Sequence, residues 1–371
     1  MPAVLEKIGT QTMTNRERIL ATLRGEETDR FPVWLKMANA TWRLSQPEPY
    51  RSMESVDLLA AAGCDLMASN YLNVRAEHAH ITRQTTQEGG RRITVTTTPE
   101  GELVREEKLD PTTQSWHPAR YPVQSADDLR RLRWCYTDTT YAVKEEQARA
   151  ALARKQRLTD RDLIVNSSVG PGPLMQLVEH ICGPEQTVYL MYDEPELFAE
   201  VLALMHGDRL RLLEAKLALP VCDTFWMVEN TSTSLISPSM FEQFCVPHLT
   251  DYGNRILQAG IIPVHHMCGL LNALLETIDA LPATVNEAFT TRPLGDVSLA
   301  EGRTRMPSKA LIGGTNATLW LEPVEKIVET VAEDLANCPD RRRIFLTSAG
   351  VLPPLVSFEK AKRVADAFKT L

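Results

Sequence analysis

A chain of 371 residues with 43% hydrophobic and 24% charged residues has the composition of a globular protein with a sizeable core. A formal net charge of -8, with no Lys/Arg cluster interleaved with aromatics, excludes the basic field that nucleic-acid binding requires. The seven cysteines (Cys64, Cys135, Cys182, Cys222, Cys245, Cys268, Cys338) are odd in number and scattered, which reads as reduced thiols. With no apolar run of about 18 residues and no signal-peptide core, a cytoplasmic protein without membrane contact is expected.

Residues 1 to 13 form a polar lead, after which Thr14 or Asn15 caps a helix, RERILATLRG, stopped by Gly25, with Ile19, Leu20 and Leu23 on one stripe. FPVWLK (31–36) reads as a first buried strand and residues 54–62 as a short helix. CDLMAS (64–69) reads as a second strand, with Asn70 and Tyr71 just past its end. From Ile81 to Leu109 β-branched and polar residues alternate around Glu-Gly-Gly and Pro-Glu-Gly turns, the pattern of an antiparallel hairpin insertion. Residues 126–157 carry Glu, Arg and Lys at helical spacing and read as a solvated face; neither piece is assigned chemistry.

After Asp162 strand and helix alternate regularly. DLIVNSSVG (162–170), CDTFWMVEN (222–230), IIPVHHMC (261–268), TVNEAF (284–289), ALIGGTNA (310–317) and RRIFLTSAG (342–350) read as strands, each followed by a helical segment. Repeated strand-then-helix units imply parallel pairing with right-handed crossovers, and about eight strands imply closure. The expected fold is therefore α/β, a (β/α)8 TIM barrel spanning residues 14–371, with an N-terminal helical lead and the 81–109 insertion outside it. An open doubly wound sheet is the alternative, but no Gly-x-Gly-x-x-Gly follows the first strand.

The stretch HHMCG (265–269) ends an apolar run and precedes a helix-like segment, Leu270 to Leu281. Period-2 alternation places His266 and Cys268 on one face and Met267 on the other, so one ion has access to an imidazole and a thiolate together. The structural alternative is a histidine satisfying buried backbone beside an inert thiol.

NRERILATLRGEETDRFPVWL, SVGPGPLMQLVEHICG, SLISPSMFEQFCVPHL, the His-x-Cys-Gly stretch and LIGGTNATLW together resemble the uroporphyrinogen decarboxylase superfamily, across about residues 14 to 371. That resemblance implies one of two branches: porphyrinogen decarboxylases, or zinc methyltransferases that move methyl groups to or from corrinoid proteins. The decarboxylases carry an Arg-Gln-Ala-Gly-Arg motif after the first strand, whose arginines pair with substrate carboxylates. Here KMANATWR, with Lys36, Met37, Ala38 and Asn39, takes that place. His266, Met267, Cys268 and Gly269 match the methyltransferase stretch instead. The further cysteine of the thiol-methylating members is replaced by Val351 after Gly350, and the positional substitute is Glu229 at the end of CDTFWMVEN.

The resemblance thus implies a zinc held by His266, Cys268 and Glu229, with His266 and Glu229 as catalytic residues. A His, Cys and carboxylate shell is harder than a thiolate-rich one and suits polarising an ether oxygen. The expected reaction is demethylation of a small methylated substrate, a methoxy-aromatic, to the cobalt of a cobalamin (corrinoid) carried by a partner protein. No Asp-x-His-x-x-Gly motif occurs in this chain to bind one. Trp34, Tyr71 and Trp226 are expected to wall the substrate, with Lys36 and Asn70 also contacting it. A homodimer is compatible with this reading. Two alternatives stand beside it: a decarboxylase of a smaller acid, anchored by Lys36, Arg43 and Arg292, and a non-catalytic barrel that docks a corrinoid protein.

Overall fold

A computed structural model describes residues 12–371; the first eleven residues of the expected lead lie outside the described residues. Eight parallel strands form the central sheet: β1 (Val33–Trp34), β2 (Met67–Ser69), β3 (Ile164–Val169), β4 (Thr224–Val228), β5 (Ile262–His266), β6 (Val285–Phe289), β7 (Ala310–Gly313) and β8 (Ile344–Thr347). Their order is β1-β8-β7-β6-β5-β4-β3-β2, with β1 returning to pair with β8 at Val33↔Leu346. This is the expected (β/α)8 barrel. Its wall has a seam between β1 and β2, which share no ladder. The two are tied by one backbone bond, Asp65 N to Val33 O at 2.7 Å, and by the Asp65 carboxylate accepting from Val33 N at 2.8 Å.

Alternation along each strand separates two cores. Met67, Ile164, Val264, Val285, Ile312 and Phe345 fill the lumen, while Val165, Phe225, Met227, Leu311 and Leu346 face the helical layer. The first helix, Asn15–Arg24, starts with a capping box between Thr14 and Glu17 and ends at Gly25 in the left-handed region, φ +80°. Its Ile19 and Leu23 plug the N-terminal end of the lumen. Its polar residues lock that end through aspartates standing before successive strands. Asn15 donates to the Asp162 carbonyl, Arg16 pairs with Asp223 at 2.8 Å, and Arg18 pairs with Asp65 at 2.7 Å.

The insertion is a four-stranded antiparallel sheet, Thr82–Glu88, Arg91–Thr98, Gly101–Asp110 and Ser115–Arg120, so it ends at Arg120 rather than Leu109. The charged 126–157 region divides into helices Ala126–Thr137 and Glu145–Asp160 around a short strand, Thr140–Ala142, paired with Arg75–Glu77. Among the described residues no helix is long and apolar enough to cross a membrane.

Candidate active site at the C-terminal mouth of the barrel

Three of the six non-glycine residues with positive φ among the described residues lie toward the strand ends of the mouth. Asn230 (φ +48°) follows β4, Ala288 (φ +63°) lies within β6, and Ala349 (φ +57°) follows β8, conformations that non-glycine residues rarely adopt. In β6 the pairing with β7 slips between Glu287 and Phe289, a bulge centred on Ala288. Val285 faces the lumen and alternation would send Phe289 there as well. The bulge turns it into the outer core instead, clearing the space above Glu287.

Glu287 is the buried hub of the mouth. It is 0% exposed, lies 2.6 Å from Lys36 Nζ through Oε1, and accepts from His266 Nδ1 through Oε2. Burial alone would push this carboxyl up, but the Lys36 and His266 charges hold it below its ordinary value. Burial likewise opposes the His266 imidazolium, yet Glu287 and the hydrogen-bonded Cys268 thiol raise it to about 9. Fixing Nδ1 against a carboxylate leaves the other ring nitrogen for a ligand, the orientation second-shell carboxylates give to metal-binding histidines.

A second carboxylate reaches this cluster from the π-helical turn Leu177–Ile181: Glu179 Oε2 accepts from Asn230 Nδ2 at 2.9 Å. The other end of that amide, Asn230 Oδ1, lies 3.9 Å from Cys268 Sγ. Burial raises Glu179 above its ordinary range, with Asn230 and His266 working against it.

Glu229 does not join the His266–Cys268 pair. By alternation it shares the outward face of Phe225 and Met227, and it is 0% exposed, with Oε2 accepting from Gly172 N at 2.6 Å. Burial pushes it up to about 7, against the Gly172 amide and the Cys245 thiol beside it. Among the described residues no group of three or more His, Cys, Asp or Glu side chains stands in metal-holding geometry. The expected three-residue shell is therefore not assembled, because strand parity sends Glu229 to the helical layer. His266 and Cys268 do come together and fit two positions of such a shell. Val351 lies 43% exposed in the loop after β8.

Four of the five expected substrate residues border one cavity. Trp34, Lys36, Asn70 and Tyr71 line a space of about 780 Å³ that opens along the β1–β2 seam and reaches Asn166. Trp226 stands outside that lining but meets Trp34 edge-on, ring centroids 6.0 Å apart. Asn70 is buried and donates to the carbonyls of Ala151 and Val221, so its amide braces the wall. Tyr71 is the exposed one, at 59%. Of the three cations considered as acid anchors, Lys36 is paired with Glu287. Arg43 is spent on the carbonyls of Arg51 and Met53, and Arg292 on Glu301.

Glu287, Glu179 and Asn230 were not anticipated. An acid inside the apolar run TVNEAF was the one available signal, since a buried strand does not tolerate an unpaired carboxylate. Glu179 and Asn230 give no such sign, because their meeting depends on the π turn and on the left-handed backbone at Asn230.

A parallel barrel with a strained, charged mouth at the carboxyl ends of its strands has the layout in which barrel enzymes place their sites. The chain belongs to the uroporphyrinogen decarboxylase (URO-D) family, whose profile matches residues 120–371. Among solved structures it is similar to a methyltransferase from Methanosarcina mazei, with 16% identity, 96% of this chain and 99% of that chain covered, and a TM-score of 0.60. At that identity the likeness establishes the fold. A Listeria monocytogenes protein described as a vitamin-B12 independent methionine synthase overlaps 56% of this chain and 64% of its own, at 15% identity and a TM-score of 0.37, too little to carry an argument. No curated protein sequence matches significantly.

Proposed function

We propose that this barrel is a methyltransferase that moves a methyl group between a small methylated substrate, of the methoxy-aromatic class, and the cobalt of a corrinoid carried by a separate protein. The observation that carries the reading is the His266–Cys268 pair at the mouth, buttressed by Glu287 and Lys36, in a URO-D-family barrel that lacks the arginine-rich loop after β1. The full-length fold likeness to a methyltransferase supports it.

The chain's own residues do four things in this reading. Glu287 holds a proton at His266 Nδ1 and fixes the ring, so the opposite nitrogen faces the reacting group. Lys36 offsets the charge of the buried Glu287 carboxylate and so holds it ionised beside the His266 ring. Trp34 and Tyr71 supply aromatic wall for a ring, and the bulge at Ala288 keeps the approach clear. A zinc on His266 and Cys268, with its remaining ligands from outside this pair, would supply Lewis acidity at the same oxygen.

The test mixes the protein with a Co(I) corrinoid protein and a panel of methyl ethers and methyl thiols, following the cobalt spectrum and the demethylated product. Methyl transfer from an aryl methyl ether is the expected result. Turnover of uroporphyrinogen, or no turnover of any donor, overturns the reading.

A further inference from the structure

Beneath the insertion sheet lies a second cavity, of about 360 Å³. Its walls are the strands Arg91–Thr98 and Gly101–Asp110, the helices Ala126–Thr137 and Pro195–Leu217, and the π turn Leu177–Ile181. The barrel mouth lies across that turn. His180 and Ile181 line the cavity, while Glu179 between them and the strand ends is bonded to Asn230. His180 Nε2 lies 3.7 Å from Glu179 Oε2, so the two faces of the turn are close neighbours.

The cavity is lined by two arginines, Arg83 and Arg105, and two carboxylates, Asp208 and Glu107. Its carboxylates are already matched: Asp208 accepts from Tyr141 Oη at 2.8 Å and Arg211 at 3.2 Å, and Glu107 accepts from Arg92 and Arg105, each at 2.7 Å. Its donors are not. Arg83, an exposed residue at the cavity's edge, pairs with no carboxylate among the described residues. Arg105 Nε is buried without a partner, and the Gln176 amide nitrogen is left over once its oxygen has accepted from Arg209. A guanidinium nitrogen with nothing to donate to, and a free arginine beside it, favour an acceptor-rich anion.

We propose that this cavity binds a small organic anion, a carboxylate or a phosphate monoester, through Arg83 and Arg105, and that its occupancy is transmitted to the barrel mouth through the π turn Leu177–Ile181. The volume corresponds to roughly a dozen water molecules, which limits the ligand to a compact acid. The threonines Thr94 and Thr96 on the sheet side add hydroxyl partners. The π turn carries His180 and Ile181 on the cavity side and Glu179 on the mouth side, so filling the cavity bears on the position of Glu179. The site stands independently of the methyl-transfer reading.

The test is calorimetric titration of the full chain with succinate and, separately, inorganic phosphate, at ionic strength held constant with sodium chloride. Saturable one-to-one binding of at least one probe is expected, and the probe that binds identifies the anion class. Arg83→Gln breaks no ion pair, so it should keep the native unfolding midpoint while weakening binding about tenfold. Amide exchange across Leu177–Ile181 should slow at saturation. No saturable binding of either probe, or native affinity in Arg83→Gln, overturns the site. Binding with unchanged exchange in the π turn overturns the coupling to the mouth.

Discussion

Lys36 Nζ stands 2.6 Å from Glu287 Oε1, joining the end of β1 to β6 across two intervening strands. The carboxylate is wholly buried and the ammonium nearly so, at 0% and 17% side-chain exposure. Such a pair gains little over an apolar one, but each partner is costly to leave alone.

Lys36→Met is therefore expected to destabilise the fold by about 3 kcal/mol, because Glu287 keeps only His266 as compensation. The double variant Lys36→Met/Glu287→Gln should recover part of that loss, and chemical denaturation of the four proteins of the cycle reads the coupling. Strict additivity would show that the pair contributes nothing.

Metal content separates Cys268 from Glu229. Under the zinc proposal, Cys268→Ala should lose bound zinc, whereas Glu229→Gln should retain it, because Glu229 shares the outward face of Phe225 and Met227, away from the His266–Cys268 pair. Elemental analysis of the purified variants checks this. Loss of zinc in Glu229→Gln would restore Glu229 as a ligand.

His248 predicts acid sensitivity. Burial, with His206 stacked on it at 4.1 Å between ring centroids, depresses it from 6.5 to about 4, Asp251 opposing. Above 6.5 the ring is neutral folded or unfolded. Between 6.5 and 4 the unfolded chain takes up the proton and the folded one does not, so stability falls as pH falls through that window. At about 1.4 kcal/mol per pH unit the loss approaches 3 kcal/mol. His248→Phe should flatten this part of the stability curve, measured by denaturant unfolding from pH 7 to 4. An unchanged acid limb would place the sensitivity elsewhere.

The bulge in β6 depends on a close approach at Gly313, where an added Cβ would stand 2.2 Å from the Phe289 carbonyl oxygen. Gly313→Ala should lower stability by at least about 3 kcal/mol and reduce activity through displaced Glu287. A wild-type unfolding midpoint would show that the strands part without strain.

Much of this was legible in the chain because strand and helix periods are local properties. The runs from Asp162 to Gly350 became β3 to β8 at the expected places, and Thr14 and Gly25 bounded the first helix. The insertion's last strand, Ser115–Arg120, escaped because Pro118 interrupts its pattern. The helix Pro184–Asp193 went unread, since its apolar face is short. At the site, local spacing brought His266 and Cys268 together, whereas Lys36 was read as a substrate contact because its partner lies far along the chain. Glu229 sits apart from that pair: counting by twos from Phe225 and Met227 already assigns it to the outer face.

The pairing of β1 with β8 also bears on how the molecule is made. Val33 waits for Leu346 before its strand acquires a ladder, and the first helix waits for Asp162 and Asp223 before its polar side chains find partners. During synthesis the N-terminal segments thus emerge long before the strand that completes the ring. A nascent chain that has reached β7 but not β8 leaves the outer edge of β7 unpaired and β1 without a neighbour, the kind of exposed edge that recruits other chains. Contacts of such long range close slowly, so the last-made strand sets the moment at which the barrel becomes safe from aggregation.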